Sequence, residues 1–271
     1  MKYKKYLSIL VISVLIVSCA KNPFTGKSTM ALVPNSQILP MAFQQYDQFL
    51  SENNVVTGTA QANMVKNVGQ KISSAAERWL TANGYAGYLK DYRWEYNLVQ
   101  DETVNAWCMP GGKIVFYTGI MPIAQDEAGV AAIMGHEVAH ALANHGQQRM
   151  SASQIQQVAA VGLAVGTAGS ENAAIYNQAF GVGSNVLGML PFSRSHESEA
   201  DKIGLTLMAI AGYDPLIGAR LWERMSQQGG DAPQEFLSTH PANQTRIDNI
   251  VKWAPDARAV ARKFGVTSFK N

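Results

Sequence analysis

The chain has 271 residues, with 22 basic and 20 acidic side chains and a formal net charge of +2. Lys2, Lys4 and Lys5 all lie in a short N-terminal segment, and without it the balance is 22 − 3 = 19 basic against 20 acidic. Such a near-neutral chain has no basic cluster that would bind a polyanion, so we expect no nucleic-acid partner.

Residues 1–18 have the composition of an export signal. A positively charged start is followed by an apolar run from Tyr6 to Val17, which is too short to span a bilayer. The run ends in Ile16-Val17-Ser18-Cys19, which resembles the lipobox of bacterial lipoproteins, where the cysteine is lipidated and becomes the mature N-terminus. We predict a signal peptide over 1–18, a lipidated tether and leading segment over 19–33, and one domain over 34–271. The alternative is an ordinary cleaved signal with an incidental cysteine.

A lipid on Cys19 would attach the protein to a membrane without a transmembrane helix. Ala20 is not the aspartate that retains some bacterial lipoproteins at the inner membrane, so we expect an outer-membrane anchor facing the periplasm. The only other cysteine is Cys108. With Cys19 lipidated, no intrachain disulfide can form.

From residue 34 onward, the pattern predicts a mostly helical α+β domain. Alternating and aromatic stretches predict strands at 92–99, 104–109 and 113–118, which form a small antiparallel sheet before the central helix. The segment 155–190 is rich in Gly and Ala but too interrupted by polar residues to span a membrane, so we expect buried or lid-like helices there. Helical patterns cover 35–53, 58–83, 126–150, 196–212, 215–228, 242–253 and 255–264.

The strongest functional signal is the run Gly135-His136-Glu137-Val138-Ala139-His140. Two histidines four residues apart lie roughly 40° apart on one helix face, so both can bind the same metal ion. The intervening Glu137 can reach a water on that metal. This is the H-E-x-x-H arrangement of zinc proteases, with two ligands and a general base. The surrounding residues are apolar, so these polar groups are predicted to be buried and to need partners.

A catalytic zinc takes a third protein ligand. Of the candidates, Glu197 and Asp201 are four apart at the start of a helix, so the glutamate can bind the metal while the aspartate accepts a ring N–H of a ligating histidine. We favour Glu197 as the third ligand and take His196 as the next candidate. The alternative is that these acidic residues bind no metal and only stabilise the first turn of the helix. His145 should point away on the metal helix. The remaining candidates are Glu199 and His240.

His136-Glu137-Val138-Ala139-His140 followed by Glu197-Ser198-Glu199-Ala200-Asp201 resembles the M48 family of zinc metallopeptidases. Further matching stretches suggest its exported lipoprotein branch: Asn22–Lys27, Asn105–Trp107, Pro110–Gly112, Thr118–Gly119, His240–Pro241 and Arg246–Ile247.

The resemblance implies a zincin-like fold of the gluzincin type with one Zn²⁺ per chain. His136, His140 and Glu197 match the zinc ligands, and Glu137 matches the base that activates water. Asp201 matches a helix aspartate that orients a ligand or donates a proton. His240 matches a histidine that steadies the tetrahedral intermediate.

These observations predict a zinc metalloendopeptidase whose substrate lies extended along a strand at Asn105, Ala106 and Trp107. Backbone pairing reads little sequence, so we expect cleavage of unfolded or mobile segments of envelope proteins, in quality control or processing. One alternative is a lipid-anchored chaperone or assembly factor with little hydrolysis. Another is a structural zinc domain, for which His196 or His240 would supply a fourth ligand. The sequence does not indicate which oligomeric state the protein adopts.

Overall fold

The computed structural model describes residues 19–184, 189–227, 235–241 and 243–271. The predicted signal peptide, residues 1–18, lies outside the described residues. The chain divides into two compact units: residues up to Ile38 with Asn144–His196, and Leu39–Ala143 with Glu197–Asn271.

Helices dominate the described residues, and the predicted α+β, mostly helical class is confirmed. The strands are β1 (Cys19–Lys21), β2 (Ser28–Met30), β3 (Val55–Val56), β4 (Glu95–Val99), β5 (Ala106–Met109) and β6 (Lys113–Tyr117). The helices are α1 (Asn35–Glu52), α2 (Ala60–Ala82), α3 (Met121–Ala124), α4 (Glu127–Leu142), α5 (His145–Gly166), α6 (Ala173–Gly183), α7 (Leu190–Ile210), α8 (Ile217–Gln227), α9 (Glu235–Thr239) and α10 (Gln244–Lys263).

The small sheet before the metal helix has four strands in the order β3-β4-β6-β5 and is mixed rather than wholly antiparallel. β5 and β6 form an antiparallel hairpin, whereas β4 and β6 pair in parallel from Glu95↔Lys113 to Val99↔Tyr117. The reason is burial: β6 is almost entirely buried and takes a central position, so the hairpin turns β5 to the edge. The strand pattern cannot specify which partner lies on which side.

α4 is a buried helix with well-defined ends. Asp126 caps its N-terminus by accepting a hydrogen bond from Gly129 N at 2.9 Å. At the other end, Tyr88 and Tyr92 donate their hydroxyls to the carbonyls of Leu142 and Ala141, which helix geometry leaves without intrahelical partners. The predicted helix over 126–150 is therefore two helices. Asn144, with φ of 56°, breaks the helix before α5 begins.

α4 and α7 cross in backbone contact at two glycines, Gly135 and Gly204. A Cβ on Gly135 would lie 2.8 Å from the Gly204 carbonyl oxygen, and a Cβ on Gly204 would lie 2.9 Å from Gly135 C and O. No side chain larger than hydrogen fits there without moving a helix. This approach brings His136 and His140 on α4 beside Glu197 and Asp201 on α7.

The segment 155–190 was expected to form buried or lid-like helices, and its described part is not buried; the lid-like form stays a prediction. α6 has no buried residue, and from 154 to 184 every side chain is partly or fully exposed. None of the described helices has the length and apolar character required to cross a membrane.

Replacing Gly204 with alanine tests the contact between the helices. We expect Gly204→Ala to lower the free energy of unfolding by about 1–3 kcal/mol, because the added methyl overpacks a backbone contact. Zinc affinity should fall as well, because Glu197 moves with α7. Urea unfolding and zinc titration measure both effects.

Gly162→Ala in α5 is the matched control, because a Cβ there meets nothing within 4 Å. It should be neutral or stabilising by about 0.5–1 kcal/mol. A Gly204→Ala protein with wild-type stability and zinc affinity would disprove the proposed role of the glycine contact.

Candidate metal centre

Four side chains converge on one point inside the second unit: His136, His140, Glu197 and His240. One ligand atom from each lies within 4.8 Å of all the others. The three histidines are buried, and the glutamate side chain is 14% exposed. The predicted ligand pair of α4 and the predicted glutamate of α7 therefore come together.

The spacing of the donors fits a single tetrahedral ion. Nε2 of His136 lies 3.1 Å from Nε2 of His140 and 3.3 Å from a Glu197 oxygen, and His140 Nε2 lies 3.3 Å from the other oxygen. Zinc bonds of about 2.0–2.1 Å to nitrogen and oxygen place tetrahedral ligands roughly 3.3 Å apart. His240 Nδ1 lies 3.1 Å from His136 Nε2 and 2.8 Å from Glu197. The residues present therefore fit a zinc ion.

Asp201 orients the first histidine. Its Oδ1 lies 2.9 Å from His136 Nδ1, on the side of the ring away from the cluster. Because this carboxylate holds a proton on Nδ1, Nε2 is the ring nitrogen that can offer a lone pair to a metal, which is the tautomer that a metal requires. The geometry therefore supports the predicted roles, in which Glu197 binds the metal and Asp201 orients a ligating histidine.

Arg246 ties the carboxylates together. Its Nε and Nη2 each donate to Asp201 at 2.7 Å, and its Nη1 lies 3.3 Å from Glu197. The guanidinium also lies over the ring of Trp222, 3.4 Å from its centroid. Asp201 is thus fixed by a bidentate pair whose cation is itself held by an aromatic face.

The charges follow from these contacts. Burial and Arg246 act to lower the pKa of His136, but hydrogen bonds to Asp201 and Glu197 outweigh them and raise it to about 9. Burial lowers the pKa of His140 well below its ordinary value. Although burial opposes it, hydrogen bonds from the three histidines hold the pKa of Glu197 well below its usual range. Glu197 is therefore an anion that faces imidazoles, which suits a cation between them.

The predicted base Glu137 lies beside the cluster. Its Oε1 is 3.5 Å from His240 Nε2, and its side chain is only 5% exposed. His240 therefore reaches Glu197 with one ring nitrogen and Glu137 with the other. Phe236 supports the histidine, with its ring centroid 4.7 Å from the imidazole centroid.

The predicted substrate strand is β5 at the sheet edge, where it packs against α4. Asn105 and Ala106 are buried. Trp107 packs edge-on against Tyr46 and Phe49 in the core, with centroids 5.9 and 5.0 Å away. Its ring is thus structural in this arrangement, and only backbone atoms of this residue are available to pair with a peptide.

Two other histidine candidates lie outside the cluster, together in the first unit. His196 stacks on His145 with centroids 4.0 Å apart, and its Nε2 lies 3.2 Å from Gln148 Oε1. His145 does not belong to the cluster, but it also does not lie on the metal helix, where the sequence predicted it. It begins α5, because the chain turns at Asn144. Glu199 is also absent from the cluster.

Sequence reasoning missed Trp222 and gave Arg246 no role. Trp222 lies on α8, whose strongly amphipathic pattern indicates only a buried face. Arg246 is 6% exposed and lies on the buried face of the amphipathic helix α10, beside apolar residues such as Ile247 and Ile250. A buried arginine needs a carboxylate, and this requirement is the one signal that could have linked it to Asp201.

Comparison with known proteins gives the family. Residues 63–254, more than half of the chain, match the model of Peptidase family M48. The chain belongs to peptidase family M48. The predicted zinc is thereby confirmed as the family's metal, and the four-residue cluster is positioned to bind it.

Named relatives share a large part of the chain. The Mitochondrial metalloendopeptidase OMA1 of Schizosaccharomyces pombe is 36% identical over 193 residues, 69% of this chain and 53% of the relative. The protein of the same name from Saccharomyces cerevisiae is 34% identical, covering 76% and 60%. The Beta-barrel assembly-enhancing protease of Escherichia coli is 26% identical, covering 55% and 32%. The chain spans about half the length of the curated relatives it matches.

The comparison contradicts the predicted location. Relatives from fungi, a plant and vertebrates carry mitochondrial names, and the bacterial relatives match over a smaller share of the chain. The expectation of a bacterial outer membrane facing the periplasm is therefore wrong. A charged start and a short apolar run show that a segment favours membranes, but they do not specify which membrane system receives it.

Replacing Arg246 with lysine tests the orienting pair. Lysine keeps the charge but loses the bidentate contact and the flat face over Trp222. We expect zinc affinity to fall roughly 10- to 100-fold, the usual effect of removing a group that orients a ligand. Titration against a competing chelator measures this.

Arg258→Lys is the matched control, because Arg258 lies on the same helix and contacts both oxygens of Asp214 at 2.5 and 2.6 Å. It should leave zinc affinity unchanged. Equal affinities in the two variants would refute an orienting role for Arg246.

Proposed function

We propose that the chain is a zinc metalloendopeptidase that hydrolyses peptide bonds in unfolded or mobile protein segments. The observation that carries the proposal is the buried Glu137 carboxylate beside a cluster of metal-binding donors. A site that only binds protein has no need for a base next to its metal. Membership of a peptidase family, and relatives named metalloendopeptidases, support the same activity.

His136, His140 and Glu197 are proposed to hold the zinc, with Asp201 and Arg246 orienting them. When bound, zinc polarises the scissile carbonyl and makes a water molecule more acidic. Glu137 accepts a proton from the attacking water and then passes it to the leaving amine. Apart from the partly exposed Glu197, these residues are buried, so charge interactions between them are strong.

His240 is proposed to steady the tetrahedral intermediate. Its imidazole contacts both Glu197 and Glu137, which lie on the two sides of the reacting centre in this proposal. The rival is a structural zinc with His240 as its fourth protein ligand, which the 3.1 Å distance to His136 favours. Four protein ligands would leave no position for water. Hydrolysis by the zinc-loaded protein would therefore exclude the rival.

Substrate is proposed to extend along Asn105 and the outer edge of β5 at Ala106 and Trp107. An edge strand presents backbone donors and acceptors to an added strand, and β5 lies against the helix that carries the base. Desolvation, together with the nearby Glu137 charge, raises the pKa of the Cys108 thiol well above its ordinary value. Cys108 thus adds a neutral side chain to this strand.

Glu137→Gln tests the activity. The amide keeps the shape of the side chain but cannot accept the proton, so we expect full zinc content and a loss of casein hydrolysis of about 10²-fold or more. Glu127→Gln, on the same helix but outside the cluster, should keep full zinc content and wild-type casein hydrolysis. Wild-type hydrolysis by Glu137→Gln would refute the assignment of the base.

Membrane attachment through lipid on Cys19 is a separate proposal, based on the resemblance of residues 16–19 to a lipobox. The mass of the N-terminal peptide of the purified protein tests it. We expect the mass of a chain that begins at a lipid-modified Cys19. An unmodified cysteine would rule the lipid out.

A further inference from the structure

Exposed apolar side chains are concentrated on α5 and α6. Of the ten large apolar side chains exposed among the described residues, eight lie on these two helices: Met150, Ile155, Val158, Val161, Val165, Ile175, Tyr176 and Val182. Val158 and Val165 are 73% and 72% exposed. Soluble surfaces carry scattered apolar residues, but a concentration like this marks an interaction site.

Among the described residues of α5 and α6, those at the base of α5 are the buried ones. His145, Gln147, Gln148 and Ser151 are buried, and the Ser151 hydroxyl accepts a hydrogen bond from Leu32 N at 3.1 Å. Beyond residue 153, neither helix has a buried residue up to 184. We call residues 154–183 the apolar hairpin. Its apolar groups form faces: Ile155, Val158, Val161 and Val165 fall within an arc of about 120° on α5.

The apolar hairpin is almost free of charge. Between Arg149 and Arg194, the only charged residue in the sequence is Glu171. A protein partner is selected and oriented through complementary charges at its interface. A surface with one charge in 44 residues lacks that means of selection, but it loses little on entering the boundary of a lipid layer.

The N-terminus also points to lipid as the occupant. The N-terminal end of the chain carries either the apolar run Tyr6–Val17 or, after cleavage, the proposed lipid on Cys19. Either form enters the fold at β1, which pairs with β2 in the register Cys19↔Met30. β2 in turn packs on α5, and Leu32 lines an open groove with Ile155 and Val158. The membrane-seeking end of the chain therefore enters the same unit as the apolar hairpin.

We propose that the apolar hairpin docks on the surface of a phospholipid bilayer, with its valine and isoleucine faces in the boundary between headgroups and acyl chains. It lies in the interface and does not span the membrane. The contact rests on apolar burial, so it does not require anionic lipid. This surface is independent of the proposed peptidase activity.

Hydrogen exchange on the full zinc-loaded chain tests the proposal, with and without phosphatidylcholine vesicles. We expect amide exchange in 155–182 to slow by about fivefold or more with vesicles, equally when phosphatidylserine is added. The triple variant Val158→Gln, Val161→Gln and Val165→Gln should lose this protection and keep casein hydrolysis. The N-terminal segment is identical in the wild type and the variants, so it contributes equally to vesicle binding in each of them.

The control is Met41→Gln with Val251→Gln, which removes the two exposed large apolar side chains outside these helices among the described residues. It should keep the protection. Exchange unaffected by vesicles, or protection that survives in the triple variant, would overturn the proposal. Protection that appears without vesicles and grows with protein concentration would also overturn it, because a second copy would then cover the face.

Discussion

The site depends on one backbone contact, the crossing of α4 and α7 at Gly135 and Gly204. Glu197 lies more than fifty residues after the two histidines in sequence, and this crossing brings it within ligand distance of them. Because a Cβ added at either glycine would lie within 3 Å of the other helix, the two helices cannot accept a larger residue at the crossing without moving apart. The position of the donors is therefore set by the packing of the two helices.

A second group of residues, behind the donors, orients the His136 ring. Trp222 holds the Arg246 guanidinium, Arg246 holds Asp201, and Asp201 directs the lone pair of His136 at the cluster. Each link is short, buried and charge-assisted, so the ring orientation is fixed at low cost when the metal arrives. The raised pKa of His136, to about 9, reflects the same carboxylates. The same carboxylates would favour a bound cation such as zinc at this site.

Local spacing predicted much of this site. His136 and His140 lie four apart on a helix, and Glu197 and Asp201 repeat that spacing, so each pair was expected on one face. The glycine contact and the Trp222–Arg246 stack depend on how helices distant in sequence pack, and no local pattern encodes them. The same limit explains the parallel β4–β6 pair and the helix break at Asn144. The predicted location was wrong for a different reason, because an apolar N-terminal segment does not specify which membrane system receives it.

The most direct test of the central claim compares zinc stoichiometry in Glu197→Ala and Glu199→Ala. Both substitutions remove a carboxylate from α7, but only Glu197 belongs to the donor cluster. We predict that Glu199→Ala retains one zinc per chain after dialysis, whereas Glu197→Ala loses most of it. One zinc per chain in Glu197→Ala, held with wild-type affinity, would contradict the account.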